Sequence, residues 1–458
     1  MPANEETETS SGELASFVSN LSFEDLSSDA VTASERSITD TVGVMLAGTT
    51  TEPAQKAAEF VESTSGSSGP ASVFASGRSA PISDAVLANG IAAHALDFDD
   101  DQFTVYSHTS ATMIPTLLTL AEMKNTSGQD IITAHVAGFE TQYYLAAPIN
   151  PSHYERGWHS TATFGAFGTA AAVANLVELD PVETRNALNT VASTAAGLKK
   201  NFGTMSKPFH VGHAARSGLT AALLSKRGFT ANSEVLDGPR GFWALYAGND
   251  RVDKNALPDL GRPFALVGEG IYRKKYPCCY GTHRAIAAAI ELADKEGIDP
   301  VDIDSIQVLA PGVSIDCLPY NNPSTGLEAK FSMEYCVAAA LVKDQLSLET
   351  FEDDALTNQE VQSLRTRVQV ETDTSLPYDG NRNTVRIRTN TGKTYEKTRS
   401  LTPGSPDDPL SETELRDKFK MCASRVLSEN VVSEAYTQLN SISEKDSCDD
   451  IIQSFLLA

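Results

Sequence analysis

This sequence predicts a mainly α-helical protein with an α+β insertion, and three observations support that fold class. From about residue 13 to residue 265, apolar side chains recur at helical spacing in one segment after another. From 266 to 405 the pattern changes to short apolar or alternating runs mixed with helices, an α+β arrangement. From 406 to the C-terminus helical spacing returns. With 458 residues, 41% of them hydrophobic, the chain can form two domains and a sizeable core.

The elements follow in order. Residues 29–46 place Val31, Ile38, Val42, Met45 and Leu46 at helical spacing. Ser83, soon after Pro81, offers a cap for a helix over 84–96. Further helices are expected over 112–123, 130–145, 161–176, 181–198 and 211–226, with Asp180 placed to cap the one that Pro181 opens. Gly165, Gly168, Ala170, Ala171 and Ala172 fall within this series. A glycine inside a helix costs about 1 kcal/mol relative to alanine, so tight helix packing is the expected return. In the insertion, residues 303–309 and 367–371 read as strands. Residues 384–388 and 394–398 flank Asn390-Thr391-Gly392, a hairpin signal. Helices are expected over 283–296 and 331–341. Pro403-Gly404-Ser405-Pro406 reads as a linker, and 412–457 as helix. The polar, acidic residues 1–12 are expected to be disordered.

Sixty acidic and 36 basic residues give a net charge of −24, a surface that repels nucleic acid and anionic membranes. The acidic residues are dispersed, as in proteins of salt-loving organisms, where salt screens their repulsion. No run of about 18 apolar residues predicts a membrane span. The N-terminus lacks the basic start and apolar core of a signal peptide, so a cytoplasmic protein is expected. Cys278, Cys279, Cys317, Cys336, Cys422 and Cys448 form no C-x-x-C pair and read as buried free thiols. Phosphate-loop, dinucleotide-binding, zinc-protease and nucleophile-elbow motifs are absent from the sequence. No metal or other cofactor is expected.

Three segments put reactive side chains among small residues. Leu96-Asp97-Phe98-Asp99-Asp100-Asp101 is followed by His108. Gly157-Trp158-His159 opens an Ala/Gly-rich helix, whose N-terminus favours an anion. Lys207 stands before Pro208, His210, His213 and Arg216, and can meet a carboxylate as a point charge. A carboxylate, imidazoles and a lysine together suit proton removal beside a carboxylate. The aspartates have three readings: a solvated loop, a magnesium site, or a catalytic carboxylate at Asp97. The magnesium reading needs a second aspartate-rich helix, which Asp353-Asp354, Asp407-Asp408 and Asp449-Asp450 do not supply. Arg273-Lys274-Lys275 reads either as a solvated patch or as a cationic rim that attracts a polycarboxylate.

Several of these segments carry a resemblance. Leu96-Asp97-Phe98-Asp99-Asp100, Gly157-Trp158-His159, Lys207-Pro208 with His210 to Arg216, Gly238 to Phe242, Tyr276-Pro277-Cys278-Cys279 with His283, and Lys330-Phe331-Ser332 with Tyr335 resemble the MmgE/PrpD family in the same order. The resemblance implies an all-helical large domain over 13–265, a smaller α+β lid over 266–405, and C-terminal helices over 406–458 that rejoin the large domain. It implies a cofactor-independent lyase acting on a small polycarboxylate, with dehydration of 2-methylcitrate as the leading reaction. Decarboxylation of cis-aconitate and epimerisation of an amino- or imino-diacid are alternatives on the same fold, and a homodimer is implied. Asp97, His108 and His159 become the expected catalytic residues. Lys207, Lys274, Cys279, His283 and Tyr335 become the expected substrate-binding residues. The segment Tyr106-Ser107-His108-Thr109-Ser110 departs from the family's His-Pro-Ser, which affects the contacts expected near Asp101. A non-catalytic helical assembly protein is the alternative of another class. It would scatter these polar residues over the surface.

Overall fold

A computed structural model describes residues 9–66, 68–343 and 345–456. The helical body contains Ser10–Asn20, Ser28–Gly48, Glu52–Ser65, Ile82–His94, Thr109–Ala121, Gly128–Ala146, Ser160–Leu176, Pro181–Val191 and Ser206–Ser225. Ser160–Leu176 has no polar face, and its residues from Ser160 to Ala174 are all buried. It is therefore a central helix, enclosed by its neighbours rather than lying on the surface.

Small residues set how closely the helices cross. A Cβ on Gly138 would lie 2.5 Å from the Gly168 carbonyl oxygen, so this approach requires glycine. The crossing of Ile82–His94 with Ser206–Ser225 is as close: a Cβ on Gly212 would lie 2.2 Å from the Leu87 oxygen. One of these helices ends three residues before Asp97, and the other begins one residue before Lys207. Their close crossing therefore sets the distance between the two charges.

The lid has a four-stranded sheet in the order β4-β3-β5-β6, with β3 Ile303–Ala310, β4 Val368–Thr372, β5 Asn383–Thr389 and β6 Thr394–Arg399. β3 pairs parallel to β4 and antiparallel to β5, and β5 with β6 forms the expected hairpin. Ile303, Ile306, Val308 and Ala310 of β3 share a core with Val385 and Ile387 of β5 and with residues of the helices His283–Glu296 and Met333–Lys343. A small hairpin in the body, β1 Ala71–Val73 with β2 Arg78–Ala80, was not anticipated, since strands of three residues are too short to show alternation.

Four expectations are corrected. The helix before Asp97 starts at Ile82, with Pro81 in the N-cap position and no side-chain cap, so Ser83 lies inside it rather than capping it. The described part of the segment expected as one helix over 412–457 forms three helices, Glu412–Ala423, Glu429–Leu439 and Asp449–Leu456, because Ser428 leaves helical backbone and the polar run after Leu439 interrupts the pattern. These helices pack Phe419, Val432 and Ile452 into the core that holds Ile38, Val42 and Met45. Thr402, Pro403, Gly404 and Ser405 are a buried turn rather than a linker. Gly404 adopts φ +85° and accepts a hydrogen bond from the Arg273 N–H at 2.8 Å, and any Cβ there would collide with Arg273. Finally, Thr9 caps a helix that starts at Ser10, inside the segment expected to be disordered; residues 1–8 lie outside the described residues. Among the described residues no helix is long and apolar enough to cross a membrane.

Candidate active site

A cavity of about 440 Å³ lies between the body and the lid. The body contributes Asp97, Asp101, His108, His159, Phe202 and Lys207 to its wall, and the lid contributes Lys274, Cys279, Arg284, Cys317 and Phe331. This volume is within the range of small-molecule sites.

Asp97 leaves its helix with a left-handed backbone, φ +52°, rare for a residue with a side chain. Lys207 Nζ lies 2.6 Å from Asp97 Oδ1, and Lys274 Nζ lies 3.0 Å from Oδ2 while donating to the Asp97 backbone oxygen at 2.7 Å. Burial alone would raise the pKa of this carboxyl. The charges of Lys207 and Lys274, with smaller help from His108 and His94, outweigh burial and hold it well below the usual carboxylate range. Asp97 is thus an ionised anchor for two ammonium groups. Lys207 also sits near two aromatic faces, 5.1 Å from the Phe202 ring centre and 5.3 Å from that of Phe331.

Asp99 lies behind this pair. His94 Nδ1 is 2.8 Å from Asp99 Oδ2, and His108 Nδ1 is 3.3 Å from it. The geometry assigns the tautomers. His94 donates from Nδ1 to Asp99, so its Nε2 lone pair accepts the Lys207 ammonium at 2.6 Å. His108 Nδ1 is 2.9 Å from the Asp100 carbonyl oxygen and must donate, so His108 Nε2 carries its lone pair near Lys207, at 3.5 Å. Burial pushes His94 down to about 4 and also lowers His108, which keeps both rings neutral near pH 7. The Thr161 hydroxyl accepts the His108 backbone N–H at 3.0 Å and thereby joins two helix starts. His159 is held well below its ordinary value by burial and then by Lys207. Its Nδ1 meets His210 Nδ1 at 3.0 Å, and its Nε2 has no partner among the described residues.

Six of the eight expected site residues therefore share one wall: Asp97, His108, His159, Lys207, Lys274 and Cys279. Two lie elsewhere. Tyr335 is fully buried in the lid core, where its hydroxyl donates to the Thr350 oxygen at 2.7 Å, because its helix turns that face inward. His283 packs between Tyr276 and Tyr280, and its Nε2 is 3.3 Å from the Cys278 oxygen. The basic triplet also divides. Lys274 reaches the cavity, Arg273 donates to the Ala33 oxygen and Ser37, and Lys275 pairs with Glu414. All six cysteines are buried free thiols.

Sequence reasoning missed three groups. His94 reads as one more position on an apolar helix, although it is the helix's last residue and lies only three positions before Asp97. Asp99 was one aspartate among four. Arg284 follows His283 and was not singled out, yet it points into the cavity. Its guanidinium stacks over the Phe103 ring at 5.5 Å and has no carboxylate partner among the described residues. His94, Asp99 and His108 bring possible metal-ligand atoms within 4.8 Å of one another, at separations that also make them a hydrogen-bonded triad.

A helical body, an α+β lid and a cavity at their seam, where lysines and neutral imidazoles surround an ionised carboxylate and an arginine joins the wall, define a two-domain protein with a polar cleft. The chain belongs to the MmgE/PrpD family: the MmgE/PrpD N-terminal domain matches residues 12–255 and the MmgE/PrpD C-terminal domain matches residues 276–440. It is similar to cis-aconitate decarboxylase of Mus musculus, 27% identical over 448 residues, covering 95% of this chain and 91% of the relative. It is similar to cis-aconitate decarboxylase of Homo sapiens, 27% identical, with 95% and 92% covered. It is also similar to cis-aconitate decarboxylase of Aspergillus terreus strain NIH 2624, 26% identical, with 92% and 91% covered.

Proposed function

We propose that this protein is a lyase acting on a small tricarboxylate, and that its reaction is decarboxylation of cis-aconitate. The observation that carries this reading is Arg284, a cavity guanidinium without an anion among the described residues. Such a group is suited to a bidentate carboxylate. Lys274 and the unpartnered His159 Nε2 face the same space and can hold further carboxylate oxygens. The full-length similarity to cis-aconitate decarboxylases supports the choice of substrate.

In the proposed step, the C–C bond to the departing carboxylate breaks and carbon dioxide leaves. The electron pair enters the conjugated alkene–carboxylate system, where Arg284 and Lys274 stabilise the charge on the retained carboxylate. Lys207 then gives a proton to the carbon beside that carboxylate. A neutral imidazole is a weak acid, whereas an ammonium can donate, and His108 Nε2, 3.5 Å away, can take a proton from water and return it to Lys207.

Dehydration of 2-methylcitrate is the second reading, and the His108 tautomer favours it. A lone pair fixed on Nε2 is a ready base, which loss of water requires and decarboxylation does not. Asp101, raised to about 6 by burial that outweighs the lowering effect of Lys274, lines the same cavity and can protonate the leaving hydroxyl. The reading also carries a cytoplasmic homodimer, for which exposed Leu198, Phe209 and Leu245 offer apolar surface. Incubation with cis-aconitate and with 2-methylcitrate in molar KCl, followed by proton NMR, tests both. Itaconate from cis-aconitate supports the first reading, an alkene tricarboxylate from 2-methylcitrate supports the second, and inertness of both acids overturns the proposal.

A further inference from the structure

The segment from Asp97 to Asp100, with Asp101 beyond it pairing with Tyr272, lies outside helices and strands, and its first residue is in the left-handed region. A non-glycine residue persists there only when its surroundings fix it. Three side chains supply that restraint by binding its carbonyl oxygens. Lys274 donates to the Asp97 oxygen at 2.7 Å, Lys418 to the Phe98 oxygen at 2.8 Å, and His108 Nδ1 to the Asp100 oxygen at 2.9 Å. Two of these donors also belong to the cavity wall. Lys418 does not: it lies on Glu412–Ala423, 320 positions along the chain from the carbonyl that it binds.

We propose that Lys418 is a positioning residue for the reaction, holding the peptide that joins Phe98 to Asp99. That peptide is the joint between the carboxylate that meets Lys207 and Lys274 and the carboxylate that holds His94 and His108. The Lys418 side chain is 5% exposed, its ammonium lies 2.7 Å from Asp40 Oδ1, and it sits 4.1 Å from the centre of the fully buried Phe98 ring. A compact ammonium thus touches the carbonyl and the ring of one residue and is anchored by a carboxylate from Ser28–Gly48. If it is lost, the Phe98–Asp99 peptide is free to rotate, Asp99 withdraws from the imidazoles, and Lys207 loses its fixed partners. The return of the C-terminal helices to the body thereby has a role at the site.

The catalytic part of this proposal rests on the lyase reading, so the test includes a readout that needs no substrate. Lys418→Met combined with Asp40→Asn removes both buried charges and leaves no unpaired carboxylate. Asp40→Asn alone keeps the bond from Lys418 to Phe98. The double variant should lose about 10²-fold in kcat on the accepted substrate, the scale of a 1 Å misplacement, with KM little changed. Asp40→Asn should keep most of its turnover. In ligand-free protein labelled with ¹⁵N-histidine, the Nδ1 and Nε2 signals of His108 and His94 should move in the double variant and stay in Asp40→Asn. If the double variant cannot be purified, Lys418→Arg replaces it. A planar guanidinium cannot fill the place between ring and carbonyl, so the same changes are expected. A folded variant at Lys418 with wild-type histidine signals overturns the proposal whether or not a substrate is found, and wild-type kcat does so where one is.

Discussion

Asp97 is charged because two lysines make it so, and this decides what each partner can do. A carboxyl held that far below its usual range is a poor base and serves as an anchor for Lys207 and Lys274. Proton movement then falls to Lys207 and His108. Lys207→Arg should keep the positive charge and most substrate affinity, yet lose turnover, because a guanidinium does not release a proton at working pH. His108→Gln should lower kcat by roughly 10²–10⁴-fold, the scale of positioned acid–base groups, and Asp97→Asn should lower kcat by releasing Lys207 and Lys274 from their anchor. Steady-state kinetics separates the two patterns. Near-normal kcat in Lys207→Arg would remove the proton-donor role. Asp97, His108, His159 and Lys207 were legible as candidates because each stands out at a helix end among small residues. Arg284 was not legible, because its significance is an absent partner, which only the assembled cavity reveals. Tyr335 misled because position along a motif does not say which face of a helix turns inward.

At the scale of elements, the site depends on how closely two helices cross. Gly90 and Gly212 let Ile82–His94 and Ser206–Ser225 approach until backbone meets backbone. Gly212→Ala should therefore push the helices apart, cost about 1–3 kcal/mol of stability, and lower kcat by moving Lys207 away from His94 and Asp97. Thermal melts and kinetics on one preparation check this; unchanged values for both would show that the crossing has slack. The Ala/Gly content of these helices foretold close packing, and the strand segments and the hairpin at Gly392 were readable from alternation and turn residues. The turn at Gly404 was not. A Pro-Gly-Ser-Pro run looks the same in a solvated linker as in a turn pinned to Arg273.

The whole molecule carries two electrostatic signatures. Its net charge of −24 should make it more stable in salt, since screening shortens from about 10 Å at 0.1 M to about 3 Å at 1 M. Melting temperature should rise from 0.1 to 3 M KCl, and a flat profile would contradict a salt-adapted surface. The second signature is the histidines. Burial lowers His94, His108, His135, His153, His159, His210 and His213, so the unfolded chain binds protons more readily as pH falls below about 6.5. Asp100, Asp101, Glu140 and Glu334 are raised and act in the opposite direction. Seven groups against four decide the sign. At fixed molar salt, stability should be greatest near neutral pH and fall as pH drops from about 6.5 towards 4. The central claim, that the cavity is a tricarboxylate site read by Arg284, is tested most directly by calorimetric titration with propane-1,2,3-tricarboxylate, an unreactive analogue. The wild type should bind one equivalent, and Arg284→Ala should bind at least about tenfold more weakly, the loss expected for a charge-assisted pair. Equal affinity in the two proteins, or no binding by the wild type, would contradict the account.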